Sequence, residues 1–293
     1  MTPFELGIVL LSALLHAAWS VAIKGSRDPL AFNVLQVLPQ AAIAVVLCAW
    51  IDLSGMPARL WLLLLGTGIA HGLYLYWMSR AYELADLSLV YPIARSTPAF
   101  LPLIAVPLLG ESLSPLGGLG IAIVVVGIWL VHAAEGLRWR ALLDRGTVYA
   151  YLTLATTVAY SLFDKSAMAD LDALDWSHAL PRAVVYYFLI ELGCSLVFVP
   201  LALRRTGISG LRTTLRGNTL GVLAATGFTL AGYGLILEAL RTAPASYVVA
   251  ARQVSVLFTL GMSALWLGER PGPLRIAGAA GTVAGVILIG VAG

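Results

Sequence analysis

Two arginines stand where charge is costly. Arg95 and Arg252 each lie inside a long apolar run of this 293-residue chain. An ionisable group so placed normally faces a cavity or a buried partner. The planar donor fork of arginine fits a carboxylate. The structural alternative is a tie to helix carbonyls or to Glu191, read as the one carboxylate deep in an apolar run. His71 and Tyr74 are three apart and share a helix face, which Met78 continues; His16 and Trp19 have the same spacing. With Tyr160, Phe163 and Tyr233 they could wall an aromatic pocket carrying a few polar handles, a form that small-molecule sites take. Simple packing is the competing reading. Tyr186 and Tyr187 lie nearby with nothing to single them out. Pro92 precedes Arg95 in a run that also holds Pro98, Pro102 and Pro107, where missing N–H groups free carbonyls and permit bending.

No catalytic residue, metal site or cofactor is expected. His16, His71, His132 and His178 are scattered, without a facing nucleophile–base or ligand spacing. Cys48 and Cys194 sit in apolar runs as small hydrophobes. No phosphate-cradling glycine loop is present, so ATP is not the direct energy source.

The elements that hold these residues must be membrane helices. Hydrophobic residues make up 60% of the chain, charged residues 11%, and the mean hydropathy is +0.91. A soluble surface needs about 25% charged residues. That excludes a water-soluble enzyme, a disordered chain and a nucleic-acid-binding domain. Ten apolar runs long enough to span a bilayer follow one another at 4–24, 30–51, 59–80, 85–109, 115–132, 147–168, 177–203, 217–240, 244–267 and 271–291. With Glu5 and no basic residue ahead of it, the first run reads as a retained helix and not a signal peptide. Twelve of the 18 basic residues fall on one side: Lys24, Arg27, Arg80, Arg138, Arg140, Arg145, Arg204, Arg205, Arg212, Arg216, Arg270 and Arg275. Four fall opposite, Arg59, Lys165, Arg182 and Arg241. The richer side is predicted cytoplasmic, with both termini periplasmic.

The chain also repeats itself. A shift of 158 carries Ala81, Ser88, Leu109-Gly110-Glu111, Pro115, Gly120 and Gly127 onto Ala239, Ser246, Leu267-Gly268-Glu269, Pro273, Gly278 and Gly285. The same shift sets Arg95 on Gln253 and Ala94 on Arg252, so the two arginines are near-equivalents. A shift of 141 carries Trp19, Ser20 and Lys24 onto Tyr160, Ser161 and Lys165. Each half, 1–135 and 147–293, holds five helices. An odd number makes the repeat inverted, which predicts a midplane site between the halves and alternating access. The proline-rich fourth run has no counterpart in the ninth.

Trp19-Ser20-Val21-Ala22-Ile23-Lys24, the run from Ala81-Tyr82 to Pro92, and Leu109-Gly110-Glu111-Ser112-Leu113 with Gly120 and Gly127 resemble the EamA repeat of the drug/metabolite transporter superfamily. Lys165, Ala239 and Leu267-Gly268-Glu269-Arg270 are similar in the second copy. The resemblance implies an all-α, ten-helix exporter of the bacterial inner membrane, most like amino-acid exporters, the aromatic type included. Its partners would be a small-molecule substrate and the bilayer, without nucleic acid, and a monomer would suffice. Export of cationic drugs is the alternative, and an intramembrane lipid-processing protein a more distant one. The substrate set then comprises His16, Trp19, His71, Tyr74, Met78, Pro92, Arg95, Tyr160, Phe163, Tyr233, Arg252 and Gln253. Glu111 and Glu269 follow helix-ending glycines, a setting for capping free N–H groups. Lys24 and Lys165 at helix ends could snorkel to headgroups, but their repeat suggests a common tie to a carbonyl or carboxylate, with Asp164 as one candidate partner of Lys165. Glu191 and His71 are the groups available for proton coupling; uncoupled export is equally open.

Overall fold

The computed structural model of the chain describes residues 1–24, 26–84, 87–133, 144–176, 178–267 and 272–292. Among these all regular structure is helical: α1 (Pro3–Lys24), α2 (Pro29–Trp50), α3 (Ala58–Leu84), α4 (Leu87–Ala94), α5 (Thr97–Leu109), α6 (Pro115–Ala133), α7 (Arg145–Asp172), α8 (Arg182–Thr242), α9 (Ala245–Arg252), α10 (Ser255–Leu267) and α11 (Pro273–Ala292). Proline opens several of them, because the first turn needs no N–H from that residue. At α2 it works with Asp28, whose Oδ1 accepts from the Ala31 N–H at 2.9 Å. Gly110 ends α5 with φ 68°, the left-handed cap that glycine adopts without a Cβ clash.

Each apolar run coincides with helix. Seven stretches are long and apolar enough to cross a bilayer, and α6 adds a shorter one over 115–131. The 61-residue α8 counts once among the seven, yet it is broken at Gly207 (φ 63°) and Asn218 (φ −152°) into pieces 182–206 and 219–242 joined by 208–217. α7 is long enough at 28 residues but too polar to rank with the seven. Its Thr153, Thr157, Tyr160, Ser161 and Asp164 turn inward, so the bundle and not lipid is their solvent. Leu103, Leu196 and Val291, about 70% exposed or more, face outward as only a lipid-embedded surface tolerates.

The repeat holds at the level of helix bounds. A shift of 158 carries α4 onto α9 and α5 onto α10, end for end. Both pairs are single membrane-length runs broken in the middle. Pro98 accounts for the first break, since it has no N–H to offer the Ala94 carbonyl four residues back and its ring crowds that carbonyl. The second occurs at Gln253 and Val254 with no proline at all. The asymmetry expected between the fourth and ninth runs is thus one of composition and not of shape. Each break leaves an arginine at or just past the C-terminus of its first half, where the helix dipole favours a cation.

α6 and α11 make the most extensive helix contact in the bundle. Gly120 lies against Gly285 and Gly127 against Gly278; a Cβ on any of the four would come within about 2.5–2.9 Å of the facing helix. The sequence shift equates Gly120 with Gly278 and Gly127 with Gly285. The contacts therefore cross over as a two-fold axis requires.

Glu111 joins the halves a second time. Its carboxylate accepts from the backbone N–H of Ala245 and from Ser246 N–H (3.2 Å) and Oγ–H (2.6 Å). The capping role holds, but the capped helix is α9 in the other repeat, not the neighbouring α6. Glu269 and the Lys24 side chain lie outside the described residues. Glu111→Ala leaves two N–H donors and a hydroxyl without their acceptor, and we expect a loss of about 2 kcal/mol, measured as a lower melting temperature of the purified protein. An unchanged melt would mean that water replaces the cap.

Candidate functional site

A cavity of about 110 Å³ lies among α1, α2, α3, α4, α5, α7, α8 and α9. Among the described residues, none of α6, α10 or α11 lines it. Of the residues expected at a site, His16, Trp19, His71, Tyr74, Met78, Arg95, Tyr160, Tyr233, Arg252 and Gln253 all line it. Pro92 and Phe163 do not. Pro92 sits one turn behind the break and gives its carbonyl to Ser96 Oγ at 2.7 Å. Phe163 points at α3, where a Cβ on Gly66 would come within 3.0 Å of its ring. The 100° step between consecutive helix residues turns it away from Asp164, and its ring packs on α3 although it shares a face with Tyr160.

Trp19 and Tyr160, repeat equivalents, each stack on a histidine. The His16–Trp19 centroids are 5.0 Å apart and the His71–Tyr160 centroids 4.0 Å. Trp19 Nε1–H also donates to Gln36 Oε1 at 2.6 Å, and Tyr187 Oη–H donates to Gln40 Oε1, so α2 holds two walls of the cavity through a polar stripe.

His16 is held between the arginines. Arg95 Nη2 lies 2.5 Å from its Nε2, and Arg252 Nη2 lies 3.4 Å from its Nδ1. A neutral imidazole has one acceptor nitrogen and an imidazolium has none. A neutral His16 can thus accept from one arginine only; assigning that acceptor to the closer Arg95 contact leaves Arg252 facing the ring N–H in this tautomer. Its Nε is also buried without a partner. Neither arginine has an ion pair among the described residues, so the alternative of a tie to Glu191 is not made. Arg95 lies over the Tyr91 ring (5.0 Å) and Arg252 over that of Tyr233 (5.4 Å).

Glu191 is not the only deep carboxylate. Asp164, 0% exposed, accepts from Thr67 Oγ1 (2.6 Å) and Tyr186 Oη (2.9 Å) at Oδ1 and from Tyr233 Oη at Oδ2, with His71 Nε2 3.4 Å from Oδ2. The expected Asp164–Lys165 pairing is wrong, because consecutive helix residues point in different directions. Lys165 Nζ instead donates to the Leu240 and Ala243 carbonyls at 2.8 and 2.9 Å, at the end of α8. Tyr186 thus gains a role that its position in the sequence did not announce. A polar stripe at Thr157, Tyr160, Ser161 and Asp164, spaced i, i+3, i+4, i+7, was the available signal.

Three further polar atoms are buried without partners beside Arg252 or in the same wall: Glu191 Oε2, Gln253 Oε1 and Thr97 Oγ1. The cavity thus presents an unpartnered guanidinium nitrogen, an unpartnered carboxyl oxygen and stacked aromatic rings in one wall.

Comparison with known proteins bears on the fold and the family. A solved crystal structure superposes with a TM-score of 0.73 over 99% of this chain and 98% of its own, at 17% identity, a likeness of fold alone. An uncharacterized transporter in the cobO 3′ region of Sinorhizobium sp is 32% identical over 91 residues. That match covers 31% of this chain and 64% of the relative's length. The EamA-like transporter family matches residues 4–133 and 145–291, one match to each half of the helical bundle. On that two-fold match the chain belongs to the EamA-like transporter family of membrane transporters.

Proposed function

We propose that this protein exports small amino acids and related carboxylates across the bacterial inner membrane, by alternating access of the central cavity between its two repeats. Ten crossings, with both termini periplasmic, are part of the reading. The observation that carries it is Arg252: a buried guanidinium with an unpartnered Nε, turned toward the wrong side of His16. A substrate carboxylate supplies the acceptor it lacks, and the fork geometry favours that group. Glu191 Oε2 and Gln253 Oε1 are acceptors for an ammonium group in the same wall. Two arginines on the wall oppose an organic cation, which argues against drug export. The volume of about 110 Å³ is below the ~150 Å³ that holds a benzene ring. Small side chains are therefore favoured over aromatic ones in this conformation.

The test is counterflow in proteoliposomes loaded with unlabelled amino acid, using labelled alanine, serine, leucine and phenylalanine beside a cationic dye. We expect exchange of alanine and serine above that of phenylalanine, and none of the dye. Dye exchange without amino-acid exchange would replace this reading with the cationic one.

A further inference from the structure

The two helix breaks carry a feature that the arginines do not explain. Thr97 opens α5 and Ser255 opens α10, and the shift of 158 makes them equivalents. Both side chains are buried, at 1% and 0% exposure, and both hydroxyls lack any hydrogen-bond partner. A buried hydroxyl left unbonded keeps its full desolvation penalty. Each sits at the start of a 13-residue helix, whose dipole favours negative charge there, although the next N–H groups are engaged (Ala99 with the Ser96 carbonyl, Val256 with that of Gln253) or, at Pro98, absent. The neighbouring Ser96 hydroxyl is not available as a cap, since it donates to the Pro92 carbonyl and accepts from Trp129 Nε1–H at 3.0 Å. The equivalence breaks down in one respect. Thr97 lines the cavity, two residues from Arg95, whereas Ser255 does not reach it.

We propose that Thr97 Oγ–H and the N-terminus of α5 bind the carboxylate of the transported solute in this conformation, and that Ser255 with α10 binds it when the cavity opens to the other side. Inverted repeats exchange conformations when access alternates, so a site built on one break passes to the other. The assignment rests on the carboxylate reading of the cavity. Threonine in place of valine at position 97 then has a cost in the empty protein and a return only when an anion is bound.

Binding of labelled propionate to the purified full-length protein, by equilibrium dialysis, tests Thr97 without depending on transport. We expect Thr97→Val to bind about 10-fold more weakly or worse, since hydrogen bonds to charged groups contribute about 1.5–3 kcal/mol. Thr97→Ser should bind as the parent does, and the empty Thr97→Val protein should melt at or above the parent temperature. Sidedness is read from alanine exchange in oriented proteoliposomes. Thr97→Val should raise KM on one face of the membrane and Ser255→Val on the other. Propionate binding that is absent from the parent, or equal in Thr97→Val, overturns the proposal, as do KM changes confined to the same face. Propionate binding that depends on Thr97, without exchange of any amino acid, supports this site and removes the amino-acid reading alone.

Discussion

Arg252→Gln should abolish exchange. We expect kcat/KM to fall by about 30- to 4,000-fold, because losing one partner of a buried, hydrogen-bonded charge pair costs about 2–5 kcal/mol. Glutamine keeps two donors and much of the length, so the packing over Tyr233 suffers less than the charge. Arg252→Lys is the sharper control: it restores charge without the fork, and we expect about a tenth of parental activity. Arg95→Gln should act differently, since Arg95 already has an acceptor in His16 Nε2 at 2.5 Å. Releasing His16 lets its ring turn, and Arg252 can then take that nitrogen for itself. Initial rates of alanine counterflow decide both cases. Full activity in Arg252→Gln would mean that the guanidinium is a structural cation and would remove the carboxylate reading.

Asp164→Ala should be the most destabilising single change in the bundle. It takes the acceptor from Thr67, Tyr186 and Tyr233, and the ionic neighbour from His71, at a point 0% exposed. Breaking a buried charged network costs about 3–5 kcal/mol, which for a chain of this size lowers the melting temperature by about 10 °C. Asp164→Asn keeps one oxygen acceptor but sets an NH2 against hydroxyl donors, and should lose about half as much. The effect reaches the cavity as well, since Tyr233 is fixed by Asp164 at one end and lies under Arg252 at the other. A thermal melt of Asp164→Ala superimposable on the parent would show that the hydroxyls find other acceptors.

Much of this architecture was legible because bilayer physics leaves few options. Apolar runs of about 20 residues, punctuated by Pro29, Pro115 and Pro273, coincide with helices whose backbone must be satisfied internally. Arg95 and Arg252 were legible for the same reason, as were His16, Trp19, His71 and Tyr160. What could not be read was direction within a helix of mixed polarity. α7 carries polar residues on more than one side, so Asp164 looked like a neighbour of Lys165 and not the centre of a network. Phe163 was misplaced by the same uncertainty. The break between α9 and α10 was hidden because no proline marks it, and only the 158-residue shift from α5 discloses it. Thr97 and Ser255 carry no compositional signal, since a threonine or serine in a membrane helix usually bonds back to its own carbonyls. Their lack of partners is a property of the fold.

The glycine seam between α6 and α11 has an implication for how the chain came to be one chain. Gly120 meets Gly285 and Gly127 meets Gly278, and the same shift that relates the halves exchanges the two contacts. That is the contact pattern of a two-fold homodimer, preserved inside a single polypeptide. The contact is backbone against backbone, so it requires no pair of complementary side chains and survives divergence everywhere else. Fusion would then have freed the rest of each half to specialise, leaving Trp19 in one and Tyr160 in the other. The covalent connection between residues 133 and 144 should accordingly be dispensable for assembly, and two separately expressed halves would find each other along four glycines.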